Sequence, residues 1–190
     1  VIYRAVVRLK RRAALVPALT LVPHSLLPGE EVPYLFESRY CASARFATFV
    51  ESRFAGTTGG ARVAAIADWV ANEVAYESGV SSAETDAAAT FIERRGVCRD
   101  FAHLVVAMAR ASDIPARYVS GYAPGVTPQD FHAVAEVYLA DPGAPHAGQW
   151  HLIDATGMAG PQDFVRIGVG RDAADVSFLT SLGAISLAHK

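Results

Sequence analysis

Gly96-Val97-Cys98-Arg99-Asp100-Phe101-Ala102-His103-Leu104 runs on through Val105 and Met108 to Ile114-Pro115. There Ala116-Arg117-Tyr118-Val119-Ser120-Gly121-Tyr122 takes over. Before the proline, Phe101, Leu104, Val105 and Met108 recur at helical spacing and mark a buried stripe. After it the period changes from 3.6 to 2. The switch from helix to strand decides the fold class. Cys98 falls where a turn residue gives way to the helix, so its sulfur sits at the positive end of a helix, where unpaired N–H groups favour a thiolate.

Upstream of this junction the pattern is helical. Phe46, Phe49, Val50 and Phe54 form one stripe that Gly56 and Gly59-Gly60 stop. Val63, Ile66, Ala67, Val70 and Val74 form a second, ending before Gly79. A third helix is expected to open on Ser81-Ser82-Ala83-Glu84 as a capping box. It would carry Ala87, Ala88, Phe91 and Ile92 inward and close on Gly96 as a left-handed C-cap. Downstream, strands are expected at 116–122, 131–139, 149–154 and 163–169, separated by turns such as Asp141-Pro142-Gly143. Helices first and strands afterwards predict an α+β fold, an antiparallel sheet packed on helices. The front of the chain is harder to read. Residues 1–9 alternate as a strand with Tyr3, Ala5, Val7 and Leu9 on one side, and the proline-rich 13–35 reads as extended segments and loop. The division expected is a short extended segment, 1–33, before a domain over 34–190.

At 190 residues and 52% apolar composition, a domain buries roughly 70% of its unfolded surface and needs no disulfide or metal staple. A net charge of −2, with no basic face beyond Lys10-Arg11-Arg12, gives no case for nucleic acid. No apolar run is long enough for a membrane helix. Prolines 17, 23 and 28 break the stretch after Arg12 that superficially resembles a signal peptide, so the expected location is cytoplasmic. Cys41 and Cys98 are expected to be free thiols, and neither has a second cysteine at zinc-like spacing. No cofactor and no metal is implied.

A thiolate nucleophile needs a base and a group that orients the base. Asp130-Phe131-His132-Ala133-Val134 and Trp150-His151-Leu152-Ile153-Asp154-Ala155-Thr156 supply candidates. A symmetric hairpin centred on Gly143 pairs His132 with Asp154 on one face, and the same parity turns His151 away. His103 lies off the face of Cys98, while His24, His146 and His189 fall in loops or the tail. In this arrangement His132 deprotonates the sulfur and later protonates the leaving amine. Asp154 holds the tautomer, and the Cys98 N–H begins an oxyanion hole. Each residue also has a plain alternative. A helical Cys is commonly a small buried hydrophobe, a strand His is commonly structural, and Asp154 could cap a turn.

The same blocks, with Phe131-His132-Ala133-Val134-Ala135-Glu136-Val137 and the trailing Val169-Gly170-Arg171-Asp172-Ala173-Ala174-Asp175-Val176, closely resemble the bacterial transglutaminase-like superfamily. Tyr34-Leu35 and Ser38-Arg39-Tyr40-Cys41 resemble the stretch preceding its core. The likeness extends over residues 34 to 180. It implies a papain-like core with a Cys98–His132–Asp154 triad acting on peptide or protein amides through a thioester. Hydrolysis by a cysteine peptidase or amidase is favoured over glutamine cross-linking or deamidation, because no feature identifies an amine-acceptor site. A homo-oligomer is compatible with the sequence. The rival of another class is a binding or assembly module with a papain-like groove and no turnover. A metal-dependent hydrolase is disfavoured, since the triad offers one His and one carboxylate. Two departures stand out. The region before Tyr34 is short, and the tryptophan that supplies the second oxyanion donor in eukaryotic relatives has no clear equivalent. Trp69, Asn72 and Tyr76 are the candidates, with Tyr76 preferred because it lies just before the Gly79 turn.

Overall fold

The computed structural model describes residues 6–10 and 13–177. Its helices come first: α1 (Ala47–Arg53), α2 (Gly59–Glu73), α3 (Ala87–Glu93) and α4 (Cys98–Arg110). Two short strands, β1 (Ala75–Tyr76) and β2 (Arg95–Gly96), pair in parallel and tie the ends of α2 and α3 together. An antiparallel sheet follows, from β3 (Ala116–Tyr122), β4 (Phe131–Ala140), β5 (Gly148–Ile153) and β6 (Val165–Gly170), in spatial order β5-β4-β3-β6. The α+β architecture expected from the change of period is therefore observed.

Helix α4 is the centre of the molecule. Every residue from Asp100 to Arg110 is buried, because α2 and α3 cover one side and the sheet the other. Alternation along β4 divides the sheet. Ala135, Val137 and Leu139 face α4 in the main core, while Val134 joins Val119, Leu152 and Phe164 on the opposite face. On that opposite face Glu136 is buried and held by Arg117 at 2.6 Å and Arg166 at 3.2 Å.

Four local expectations are corrected. Ser81 and Glu84 do not cap α3: Asp86 does, its Oδ1 accepting the Ala89 N–H at 2.7 Å. The left-handed C-cap is Arg94 (φ 56°) and not Gly96. Its guanidinium lies 4.5 Å from the ring centres of both Trp69 and Phe91, a cation–π contact that offsets the backbone cost. Gly96 is needed for space instead, since a Cβ there would meet the Asp100 Cβ at 2.8 Å. Ile92, expected inward, is 73% exposed. At the front, residues 1–5 of the expected strand lie outside the described residues, and residues 6–10 form no strand. Three short 3-10 turns occupy 16–35, with Leu19 and Val22 buried and Thr20 bridged to Ala140.

His103 on α4 is fully buried, stacked on Tyr40 at 5.1 Å, and its Nε2 accepts the Ala173 N–H at 3.2 Å. Burial pushes its pKa down to about 4. The folded value lies below the unfolded one, so the contribution to stability is complete above about pH 6.5 and is lost as pH falls toward 4. Urea melts at pH 7 and pH 4.5 should show a loss of about 2 kcal/mol from this group. His103→Phe, which keeps the stack, should shrink the acid loss by that amount. An unchanged acid limb in the variant would remove His103 as the cause.

Candidate active site

The N-terminus of α4 is built around Asp100. Its Oδ2 accepts the Val97 N–H at 2.9 Å and the Ser81 hydroxyl, and Arg99 binds its Oδ1 at 3.0 Å. A carboxylate at the third helical position thereby closes the first turn, leaving the foremost N–H groups of the helix around Cys98 without helical partners. Cys98 is partly exposed and Cys41 is buried, and both are free thiols.

His132 is the second residue of β4 and Asp154 lies one residue past β5. The register of these strands is centred on Ala144, pairing Ala135 with Ile153 and Ala140 with Gly148. The expected direct pairing of His132 with Asp154 is therefore corrected to a diagonal one. The displacement preserves parity, so the two side chains share a face and His132 Nε2 meets Asp154 Oδ2 at 2.9 Å. Both side chains are almost completely buried. Asp154 is fixed on every side. Oδ2 also accepts the Ala159 N–H at 2.7 Å, while Oδ1 accepts the Thr156 N–H at 2.9 Å and the Thr156 hydroxyl at 2.7 Å. Burial alone would raise its pKa, but the hydrogen bonds from His132 and Thr156 outweigh it and hold the carboxyl below its usual value.

With Nε2 engaged, the buried Nδ1 makes no hydrogen bond of full geometry. Cys98 is the other group acting on the ring. Burial disfavours the imidazolium, yet hydrogen bonding to Asp154 and a looser one to Cys98, with the charges of both, raise His132 to about 9. Below that pH the ring is charged, a proton donor held between the Asp154 carboxylate and the Cys98 sulfur.

Cys98, His132 and Tyr76 open onto one cleft of about 630 Å³, walled on one side by Ser78, Gly79 and Ser81 and on the other by the β3–β4 loop and Met158. The Tyr76 hydroxyl lies against Cys98. Burial and the nearby sulfur raise its pKa, and the backbone of Cys98 hydrogen-bonds to it. Trp69 is instead packed among Phe49 and Phe91, and the Asn72 amide donates to the Asp68 carbonyl at 2.7 Å. Neither lines the cleft. His151 pairs through Val137 and stands apart from Asp154, as its parity required. Asp100, Thr156 and Phe131 were not singled out by sequence reasoning. The first had a signal, an acid three residues into a helix that starts at Cys98. Thr156 had one as well, two residues after an Asp in a turn.

Residues 49–155, more than half of the chain, match the transglutaminase-like superfamily. The chain belongs to that superfamily. A chain from Cytophaga hutchinsonii, described as a "Putative Cysteine Protease", superposes with a TM-score of 0.77 at 43% identity, over 84% of this chain and 53% of that one. The periplasmic domain of TgpA from Pseudomonas aeruginosa shares the fold, with a TM-score of 0.54 at 24% identity, over 72% of this chain and 50% of that one. An uncharacterized protein of Mycobacterium leprae is 31% identical over 63% of this chain and 43% of its own length. The chain thus spans about half the length of these relatives. Among the described residues no helix is long and apolar enough to cross a membrane.

Proposed function

We propose that this chain is a cysteine-dependent acyl-transfer enzyme that hydrolyses amide bonds of peptides or proteins. The observation that carries the reading is the buried His132–Asp154 pair, 2.9 Å apart, facing the cleft in which Cys98 stands at a helix N-terminus. In this mechanism the Cys98 sulfur attacks the carbonyl carbon and a C–S bond forms. The oxyanion is held by the Cys98 N–H, with the Tyr76 hydroxyl as second donor. The C–N bond then breaks, and the amine leaves with the proton of the His132 imidazolium. Water, deprotonated by the same ring, attacks the thioester and frees Cys98. Asp154 keeps the ring oriented and steadies its charge throughout. The "Putative Cysteine Protease" wording of the 43% identical chain supports this class.

The test is a peptide library incubated with the protein, with and without a primary amine, and read by mass spectrometry. Cleaved peptides should form in both conditions and disappear with Cys98→Ala. Amine adducts as the main product would replace hydrolysis by cross-linking, and glutamine converted to glutamate without cleavage would indicate a deamidase. Products that persist in Cys98→Ala would overturn the reading.

A further inference from the structure

Beyond the nucleophile, the sheet register sets a row of apolar side chains side by side. Phe131 of β4 pairs with Tyr122 of β3, and Tyr122 pairs with Val165 of β6. Residues directly opposite on adjacent strands share a face, so the three make one row across the end of the sheet. Ala133, two residues along β4 and on that same face, packs with Tyr118, Ala102 and Cys98. The row therefore starts beside the nucleophile, and Phe131 also lines the wall of its cleft.

The rings of Tyr122 and Phe131 stack with centroids 4.9 Å apart and planes 21° apart, yet they remain 42% and 41% exposed. Phe131 lines the Cys98 cleft and Tyr122 with Val165 the adjoining pocket, so the exposed part of the two rings gives an incoming apolar side chain area to bury. The charges nearby are already engaged. Arg99 is bound to Asp100 and to the Ser82 carbonyl, and Asp130 accepts the Phe131 N–H at 2.8 Å. At this end Phe131 and Tyr122 supply the apolar surface, with the Asp130 carboxylate beside Phe131 and Asp163 beside Tyr122 and Val165.

We infer that the Phe131–Tyr122–Val165 row is a specificity subsite for a large apolar side chain of the acyl donor, an aromatic one above all, within two residues of the carbonyl that Cys98 attacks. The inference rests on Cys98 being the nucleophile, and its test separates the two.

Short peptidyl chloromethyl ketones alkylate a thiolate by forming a C–S bond at the methylene carbon and expelling chloride, so they report recognition without turnover. A panel carrying Phe, Leu, Gly, Asp or Lys at either of the two residues nearest the ketone is reacted with the protein. Modification of Cys98 is followed by mass. Iodoacetamide, too small to reach the row, normalises the intrinsic reactivity of each variant. At one of the two positions, Phe should react at least about tenfold faster than Gly, the discrimination expected for filling an apolar pocket. Phe131→Ala and Tyr122→Ala should each cut that ratio to below about threefold, while Phe131→Leu retains part of it. A flat panel, a preference for Asp or Lys, or a Phe preference that survives both alanine variants would overturn the subsite while iodoacetamide still labels Cys98. If no reagent labels Cys98 in the native chain, the nucleophile fails and the subsite with it.

Discussion

Asp154→Asn is expected to lower kcat/KM by about ten-thousandfold while leaving the protein folded. The wild-type carboxylate accepts four hydrogen bonds, two at each oxygen. An amide can place its NH₂ at only one of the two sites. At the Oδ2 site it would donate to His132 Nε2 and drive the ring proton onto Nδ1, the nitrogen left for Cys98, so the ring could no longer accept a proton from sulfur. At the Oδ1 site it would face the Thr156 N–H, and the imidazolium would lose the charge that steadies it. Either placement disables the ring, and either leaves one buried N–H without an acceptor, at a cost of about 1–3 kcal/mol. Turnover and a urea melt on the same preparation separate the two effects. Thr156→Ala supplies the comparison: it loosens Asp154 without changing its charge and should cost roughly tenfold in rate, about one hydrogen bond's worth. Near-normal turnover in Asp154→Asn would dismiss the assignment. Asp130, whose carboxylate is tied to the Phe131 N–H, would then be the next carboxylate to replace.

The route to this site was legible in the sequence wherever one period dominated. Ala116–Tyr122 is a strand to the residue, and Cys98 opens its helix, because Pro115 and Gly96 bracket a strong helical stripe. The hairpin register was legible only in parity. Asp141-Pro142-Gly143 looks like the whole turn, but the loop makes two successive turns, Ala144 N–H to Asp141 O and then Ala147 N–H to Ala144 O, which moves the centre to Ala144. Helix ends were misread where tertiary contacts outweigh local preference. Asp100 draws Ser81 away from α3, and two aromatic rings hold Arg94 in a conformation that glycine would usually supply. The row of Phe131, Tyr122 and Val165 could not be read at all, since β3 and β6 pair across a long stretch of chain and their register shifts between Ser120 and Gly121.

His132→Ala should slow alkylation of Cys98 at pH 6 on the order of tenfold to a hundredfold. His132 is raised to about 9 from an ordinary value near 6.5, with Asp154 and Cys98 sharing the cause. Cys98 is among the groups that hold the ring protonated, so the ring stands as a cation beside the sulfur that the alkylating reagent must reach. Alanine removes that cation and leaves only the helix N-terminus, worth less than about 1 kcal/mol at a partly exposed site. The sign also fixes the alkaline side. A ring raised to about 9 is protonated below that pH and loses its proton above it, so parental turnover should fall as pH rises through about 9, when the leaving amine has no proton donor. Cys41 is the internal control. It is fully buried and its thiol is pushed up to about 12 by burial, so in the native state iodoacetamide should modify it on the order of a thousandfold more slowly than an ordinary thiol. Equal labelling of the two cysteines would mean that Cys98 is not activated. A His132→Ala profile that overlays the parent's would mean that the base lies elsewhere. In that event the 2.9 Å bond between His132 and Asp154 would be a structural pairing at a strand end, and the cleft would need another proton carrier.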